Sequence, residues 1–273
     1  MTTAGARHYL CTMAATLPLF DPIDHISVAD AVVHQIEDML VAGVLKQGDR
    51  LPSERDLADA LDVSRPKIRE ALKSLETRGL IEVRHGEGSF VARLTGAAMS
   101  PALMSLYSRH GDAFFDYLEY RRAQEGFAAW LAAQRATPSD RERIKDCLDQ
   151  LQTAWDLGDD KGSREADIRF HSAIVDASHN ATLIHMMGSI YDLTQQGLFY
   201  NRHYLRTIDG TGRALLDQHI AIGTAILDGR ADDARNAATA HLDFVEASFR
   251  KGHDDSRREA IARKRLTPAQ AKS

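Results

Sequence analysis

Residues 51–91 read LPSERDLADALDVSRPKIREALKSLETRGLIEVRHGEGSFV, and the punctuation of this stretch decides how the N-terminal third of the chain folds. Ser53 precedes an apolar helical period and is followed three residues on by Asp56, the mark of a capped helix start. A break falls at Asp62 to Ser64. A second helix then opens with Pro66 in its first turn, where a missing N–H costs little, and Ser64 is placed to cap the free amides. Ile68, Leu72 and Leu75 form the inward stripe of that helix, while Arg65, Arg69 and Lys73 recur every four residues on a stripe of their own. After Gly79 the period drops to two. Ile81 and Val83 point one way, Gly86-Glu87-Gly88 turns the chain, and Phe90 and Val91 return, which predicts a small β-hairpin.

Working outward, Val28, Val32, Ile36 and Leu40 recur every four positions and predict one more helix upstream, with Gly48 and Pro52 marking the turn beyond it. A helix, a tight break and a second helix with a basic start form the geometry that lays the second helix in a DNA major groove. Cations there neutralise phosphates, and arginine can contact a guanine edge through two hydrogen bonds. The competing reading is a solvated basic face paired with nearby acids. Arg84-His85-Gly86 at the hairpin favours DNA, because such a wing is a second contact to the duplex backbone. The chain as a whole carries 34 Lys and Arg against 39 Asp and Glu, a net charge of −5, which excludes a protein that coats nucleic acid indiscriminately. Any basic surface is local.

A length of 273 residues suggests two domains. Residues 1–26 carry no sustained period and read as a flexible leader, residues 27–95 as the winged helix-turn-helix, and residues 96–111, with Gly96, Pro101 and Gly111, as a linker. Residues 112–252 read as helices over roughly 112–136, 138–157, 160–178, 181–206, 211–229 and 231–250, separated at Thr137-Pro138, Gly158, His179-Asn180 and Asp228-Gly229. Residues 253–273 form a charged tail expected to fray from His253. The expected fold class is mainly α: an N-terminal winged helix-turn-helix with a small hairpin wing, then an all-α bundle. Cys11 and Cys147 are the only cysteines, so no disulfide framework or thiolate metal site is on offer and a reducing compartment is expected. The apolar YLCTMAATLPLF in the leader has an acidic segment where a signal cleavage site belongs, and no run of eighteen apolar residues exists; the expected location is cytoplasmic, with no membrane partner.

In the helical region, polar residues occupy positions of the inward stripes. Asp167 and His171 lie one turn apart on a stripe continuing to Ile174 and Ser178; His219 falls among Leu215, Ile222 and Ile226, and His241 among Ala234, Ala238 and Val245. A lone inward histidine is usually a hydrogen-bonded core residue. Three helices aiming such groups at one interior is harder to explain that way, because burying them unpartnered costs several kcal/mol, on the order of 2–7 per group. A divalent cation removes that cost. Three imidazoles and a carboxylate suit zinc first, with nickel, manganese or iron(II) as alternatives, and the lack of thiolates argues against copper(I). Arg121 shares a stripe with Phe114, Leu118, Glu125, Ala128 and Ala132. It either forms an internal ion pair with Glu125 or, beside a cation, serves as a fork for a carboxylate. Arg122 is a neighbouring alternative.

The segment 51–91 resembles the winged helix of GntR-type bacterial transcription regulators, and an all-helical remainder resembles the FadR subfamily, whose helical effector domain is called FCD. YLEYRRAQEGFAAWLAAQRAT, residues 117–137, is similar to regulators of pyruvate or lactate metabolism in that subfamily. The resemblance implies DNA contacts by Arg55, Ser64, Arg65, Lys67 and Arg69, with His85 and Gly86 at the wing; Pro66 stands where some relatives place a hydroxyl. It also implies a metal held by Asp167, His171, His219 and His241, and a small organic acid shared between that metal and Arg121, with Glu125 beside it. The acid would be a 2-oxo or 2-hydroxy carboxylate such as pyruvate, lactate or glycolate. Gln218 departs from the glutamate that relatives often place before the histidine.

The expected function is therefore a homodimeric transcription regulator, a repressor on this reading, that binds a palindromic operator with an affinity set by the acid. The alternative is a metal-dependent enzyme acting on a small organic acid, fused to a DNA-binding module. A di-iron bundle needs Glu-x-x-His pairs, and three residues before His171 stands Ile168. A mononuclear hydrolase needs a general base that nothing in the spacing supplies. A purely architectural DNA binder would leave the inward polar residues unexplained.

Overall fold

A computed structural model describes residues 27–94, 112–195 and 211–266 of the chain. The leader 1–26, the linker 96–111, the part from 196 to 206 of the helix expected over 181–206, and the last residues of the tail lie outside the described residues.

The N-terminal unit starts with α1 (Val28–Val41), capped by Ser27, whose side chain accepts from the Asp30 amide at 3.1 Å. Its periodic residues Val32, Ile36 and Leu40 are buried, as are Ala29 and Val33. The next helix, α2 (Glu54–Leu61), is capped by Ser53 through the Asp56 amide at 3.2 Å, and it ends on Asp62 in the left-handed conformation, φ 50°. That residue makes the sharp break before α3 (Arg65–Thr77), which buries Ile68, Ala71, Leu72 and Leu75 against α1 and α2. Ser64 does not cap α3 with its side chain. Pro66, the second residue of the helix, has removed one of the two amides that such a cap serves, and the other, on Lys67, bonds the Ser64 carbonyl at 2.9 Å.

Strands β1 (Ile81–Arg84) and β2 (Gly88–Val91) pair antiparallel, Ile81 opposite Val91 and Arg84 opposite Gly88. Residues 48–51 join the outer edge of β2: the Gly48 and Leu51 amides bond the Val91 and Ser89 carbonyls, and the Val91 amide bonds Asp49. Ile81 and Val91 are buried under the hairpin, but Val83, expected to point inward with Ile81, is 53% exposed. The hairpin projects beyond the three helices, so only its base has a core to reach.

The second unit comprises α4 (Asp112–Arg135), α5 (Pro138–Asp156), α6 (Asp160–Asp176), α7 (Ala181–Gln195), α8 (Thr211–Leu227) and α9 (Ala231–Leu266). Its hydrophobic core is separate from that of the winged helix. Helix α9 packs along α4 and α8, and α5 along α6. The start of α5 is a complete capping box: Thr137 accepts from the Asp140 amide while the Asp140 carboxylate accepts from the Thr137 amide and hydroxyl. Helix α9 runs on to Leu266, past the fraying expected at His253. A charged sequence lacking a core face can still extend a helix that packing has already nucleated, because propagation is far easier than initiation.

Candidate functional site

Six of the polar residues buried inside the second unit lie on the inward stripes read from the sequence and carry ionisable groups: Arg121 and Glu125 on α4, Asp167 and His171 on α6, His219 on α8 and His241 on α9. The ligating atoms of His171, His219 and His241 all lie within 4.8 Å of one another. His171 Nε2 faces His219 Nε2 at 3.2 Å. Asp167 Oδ1 stands 3.1 Å from His219 Nε2 and 3.8 Å from His171 Nε2. The Phe170 ring, fully buried, packs edge-on against His171 and His219 and closes one side.

The outward nitrogens determine what the inward ones can do. His171 Nδ1 lies 2.8 Å from Glu125 Oε2, and His241 Nδ1 lies 2.9 Å from Gln218 Oε1. Both oxygens can only accept, so they favour the tautomer with the proton on Nδ1, in which a neutral ring presents its Nε2 lone pair inward. Glu125 thus has two tasks: its Oε1 accepts from Arg121 Nε at 2.7 Å and its Oε2 orients His171. Burial alone would raise the Glu125 carboxyl, but the Arg121 charge and then His171 overcome it and hold the pKa down to about 2. Burial, followed by repulsion from His219 and His171, pushes His241 well below the usual histidine range, so its ring is neutral.

These residues fit a cation. Ligand distances of about 2.0–2.2 Å at angles of about 90–110° put donor atoms roughly 2.8–3.6 Å apart. Two of the three separations among Asp167, His171 and His219 fall in that span and the third lies just outside it. A proton on His219 Nε2 can bond Asp167 or His171, one at a time, whereas a divalent ion can serve every inward donor together. The Gln218 contact replaces the carboxylate anticipated at that position with a neutral acceptor.

The residues expected at DNA lie together on the winged helix. Arg55, Ser64, Arg65 and Arg69 are exposed on α2 and α3 and Lys67 is half-exposed, while His85 and Gly86 are exposed at the hairpin tip, Gly86 with φ 78°. The alternative of acid pairing is also realised. Arg69 donates to Glu54 from Nε at 3.1 Å and Nη2 at 2.8 Å, Arg65 Nη2 approaches the same carboxylate at 3.8 Å, and Lys67 donates to Glu70 at 2.8 Å. These pairs are solvent-exposed and weak, on the order of 0–1 kcal/mol each, so phosphates can displace them. Sequence reasoning missed Glu54; its place ahead of Arg55 on α2, facing the next helix, was the available signal.

Two family profiles match the chain: bacterial regulatory proteins, gntR family, over residues 28–91, and the FCD domain over residues 116–244. The chain is 35% identical over 238 residues to a protein of Escherichia coli K12 named for regulation of the L-lactate dehydrogenase operon, covering 85% of this chain and 90% of that one. It is 33% identical over 225 residues to the Glc operon transcriptional activator of the same strain, covering 81% and 89%. A solved GntR protein of Streptococcus agalactiae aligns with a TM-score of 0.49 at 26% identity, covering 81% of this chain and 100% of that one.

Proposed function

The chain belongs to the gntR family of bacterial regulatory proteins, as a FadR-type DNA-binding regulator with an FCD domain, and from that premise we propose that its operator affinity is controlled by a small carboxylic acid bound at a metal centre made by Asp167, His171, His219 and His241. The observation that carries this reading is the convergence of His171 Nε2, His219 Nε2 and Asp167 Oδ1 in a buried space, with the other face of His171 tied to Glu125. The donor set, three imidazoles and a carboxylate without thiolate, favours zinc, with nickel, manganese or iron(II) as alternatives.

The charge balance supports an anionic ligand. Histidines that ligate a metal do so as neutral rings, which leaves, among the described residues of the site, one buried cation, Arg121, against two buried carboxylates, Glu125 and Asp167. A divalent ion turns this to one net positive charge, which a monocarboxylate neutralises. The ion supplies an electrostatic anchor for two oxygens, as a 2-hydroxy or 2-oxo acid presents. Arg121 supplies the neighbouring guanidinium, its plane flanked by the Tyr117 and Tyr191 rings at 5.7 Å each. Pyruvate, lactate and glycolate are the candidates. Names of the relatives, one tied to an L-lactate dehydrogenase operon, favour that class.

The relatives are transcription regulators, not enzymes. Glu125, the one base that could be imagined for hydrolysis, is engaged by both Arg121 and His171. At DNA, Arg65 and Arg69 of each recognition helix would read half-sites of a palindrome as a homodimer, with Arg55, Ser64, Lys67, His85 and Gly86 fixing position on the backbone. Acid binding would relieve repression. No described helix is long and apolar enough to cross a membrane. Elemental analysis and a thermal-shift titration with pyruvate, lactate and glycolate test the reading. A stoichiometric transition metal, together with a melting point that rises as one acid exceeds its Kd, is expected; a metal-free protein insensitive to all three would reject it.

A further inference from the structure

Beside Arg121 lies a polar group that nothing above uses. Tyr191, on α7, is buried, and its hydroxyl makes no hydrogen bond of full geometry, although it lies close to the Glu125 carboxylate. Its ring centroid lies 5.7 Å from the Arg121 guanidinium carbon, the same distance as that of Tyr117. A buried hydroxyl without a well-made hydrogen bond is destabilising, a penalty that phenylalanine at this position would avoid. The Arg121 guanidinium is in a similar position: of its five N–H donors, the one on Nε goes to Glu125, the acceptor it finds among the described residues. Two neighbouring side chains thus hold donors in reserve at one buried place, a turn of helix from Glu125 and, through it, from His171.

We propose that the Tyr191 hydroxyl is a specificity-determining ligand of the effector, donating a hydrogen bond to the acid's carboxylate alongside the Nη groups of Arg121. The inference rests on the effector reading above and adds to it a residue from a fifth helix. A planar carboxylate presents acceptor lone pairs on both oxygens, so a guanidinium and a phenol at its rim can both be satisfied. Burial, followed by the charge and close approach of the Glu125 carboxylate, pushes the Tyr191 phenol well above its usual range, so it stays a neutral donor that a bound acid must draw away from Glu125. A ligand lacking the anionic acceptor, an amide or an ester, would leave one of these donors unanswered; such mismatches are the strongest source of discrimination between small ligands. Because Tyr191 belongs to α7, its bond to the acid would also tie α7 to α4.

The test is Tyr191→Phe in the full chain, loaded with zinc and titrated calorimetrically with sodium L-lactate, glycolate and pyruvate beside the wild type. The expected result has three parts: zinc content unchanged, melting temperature without acid unchanged or raised, and the Kd for the acid that the wild type binds raised about ten-fold or more. A merely structural hydroxyl would instead lower the acid-free melting temperature, and that outcome overturns the proposal, as does an unchanged Kd. Should the wild type bind none of the three acids, the effector reading itself falls and takes the Tyr191 role with it. An unchanged Kd in the variant removes only the Tyr191 role.

Discussion

Lys46, in the turn after α1, donates to both oxygens of Asp176, the last residue of α6, at 3.3 and 3.0 Å. Arg143 of α5 holds the same carboxylate at 2.9 Å. Helix α6 also carries Asp167 and His171, the latter five residues and about 7.5 Å of helix away. The helix that contributes two inward donors therefore ends on the carboxylate that meets the DNA-binding unit. Next to it the two units come close: His185 Nε2 lies 3.3 Å from the Val41 carbonyl, and a Cβ on Gly43, whose φ is 69°, would stand 2.5 Å from Ile184 Cγ2.

Asp176→Asn is expected to cost little global stability, about 1 kcal/mol, since Lys46 and Arg143 are themselves exposed. Its effect falls on communication: the change in operator affinity on adding acid should shrink, as read by band shift with and without ligand. Gly43→Ala attacks the same contact sterically, combining a strained φ with a clash against Ile184, and should lower the unfolding free energy by about 1–3 kcal/mol. Equal ligand responses in Asp176→Asn and wild type would show that the signal takes another route.

Gln218→Ala removes the acceptor that fixes the His241 ring. Metal affinity should fall about 10–100-fold, with the fold intact by circular dichroism. Gln218→Glu restores an acceptor and should recover that affinity. Competition with a chromogenic chelator measures both, and His219→Ala, which deletes an inward donor, should purify without metal.

Glu54→Gln releases Arg65 and Arg69 from their shared carboxylate. Affinity for non-specific DNA should rise and its salt dependence steepen, because two more cations become available for phosphates. Arg65→Ala should weaken operator binding by about 1–3 kcal/mol if the guanidinium reads a base, and fluorescence anisotropy against a scrambled operator separates that from a phosphate contact.

Asp140 provides the pH test. Burial works to raise its carboxyl, but hydrogen bonds from the Thr137 hydroxyl and amide, and then from His179, prevail, so its folded pKa lies below the ordinary aspartate value. The stabilisation is present above the unfolded pKa of about 4 and is lost as pH falls through the lower folded value. Asp140→Ala should therefore cost about 0.5–2 kcal/mol near neutrality, a deficit that vanishes in acid. Thermal melts at pH 7 and below pH 3 check both limits.

Most of the elements, and the inward faces of the helices, were legible in the order of residues alone. Periods of four and of two, the caps at Ser53 and Thr137, and the break at Asp62 are local consequences of backbone geometry, legible without a neighbour. Arg121, Glu125, Asp167, His171, His219 and His241 could be placed on buried stripes for the same reason. Which donors meet was a matter of packing. That Glu125 serves His171 as well as Arg121, that Glu54 gathers two arginines, that Tyr191 comes beside Arg121, and that Lys46 reaches across 130 residues to Asp176 all depend on how helices pack. Val83 and Ser64 show the same limit from the other side, one exposed because the core ends beneath the hairpin, the other not capping because Pro66 removes an amide and Lys67 has turned its own to the backbone. Periodicity sets a side chain's direction about its own axis, whereas contact requires the distance and angle between axes, which arise only when separate elements settle against one another.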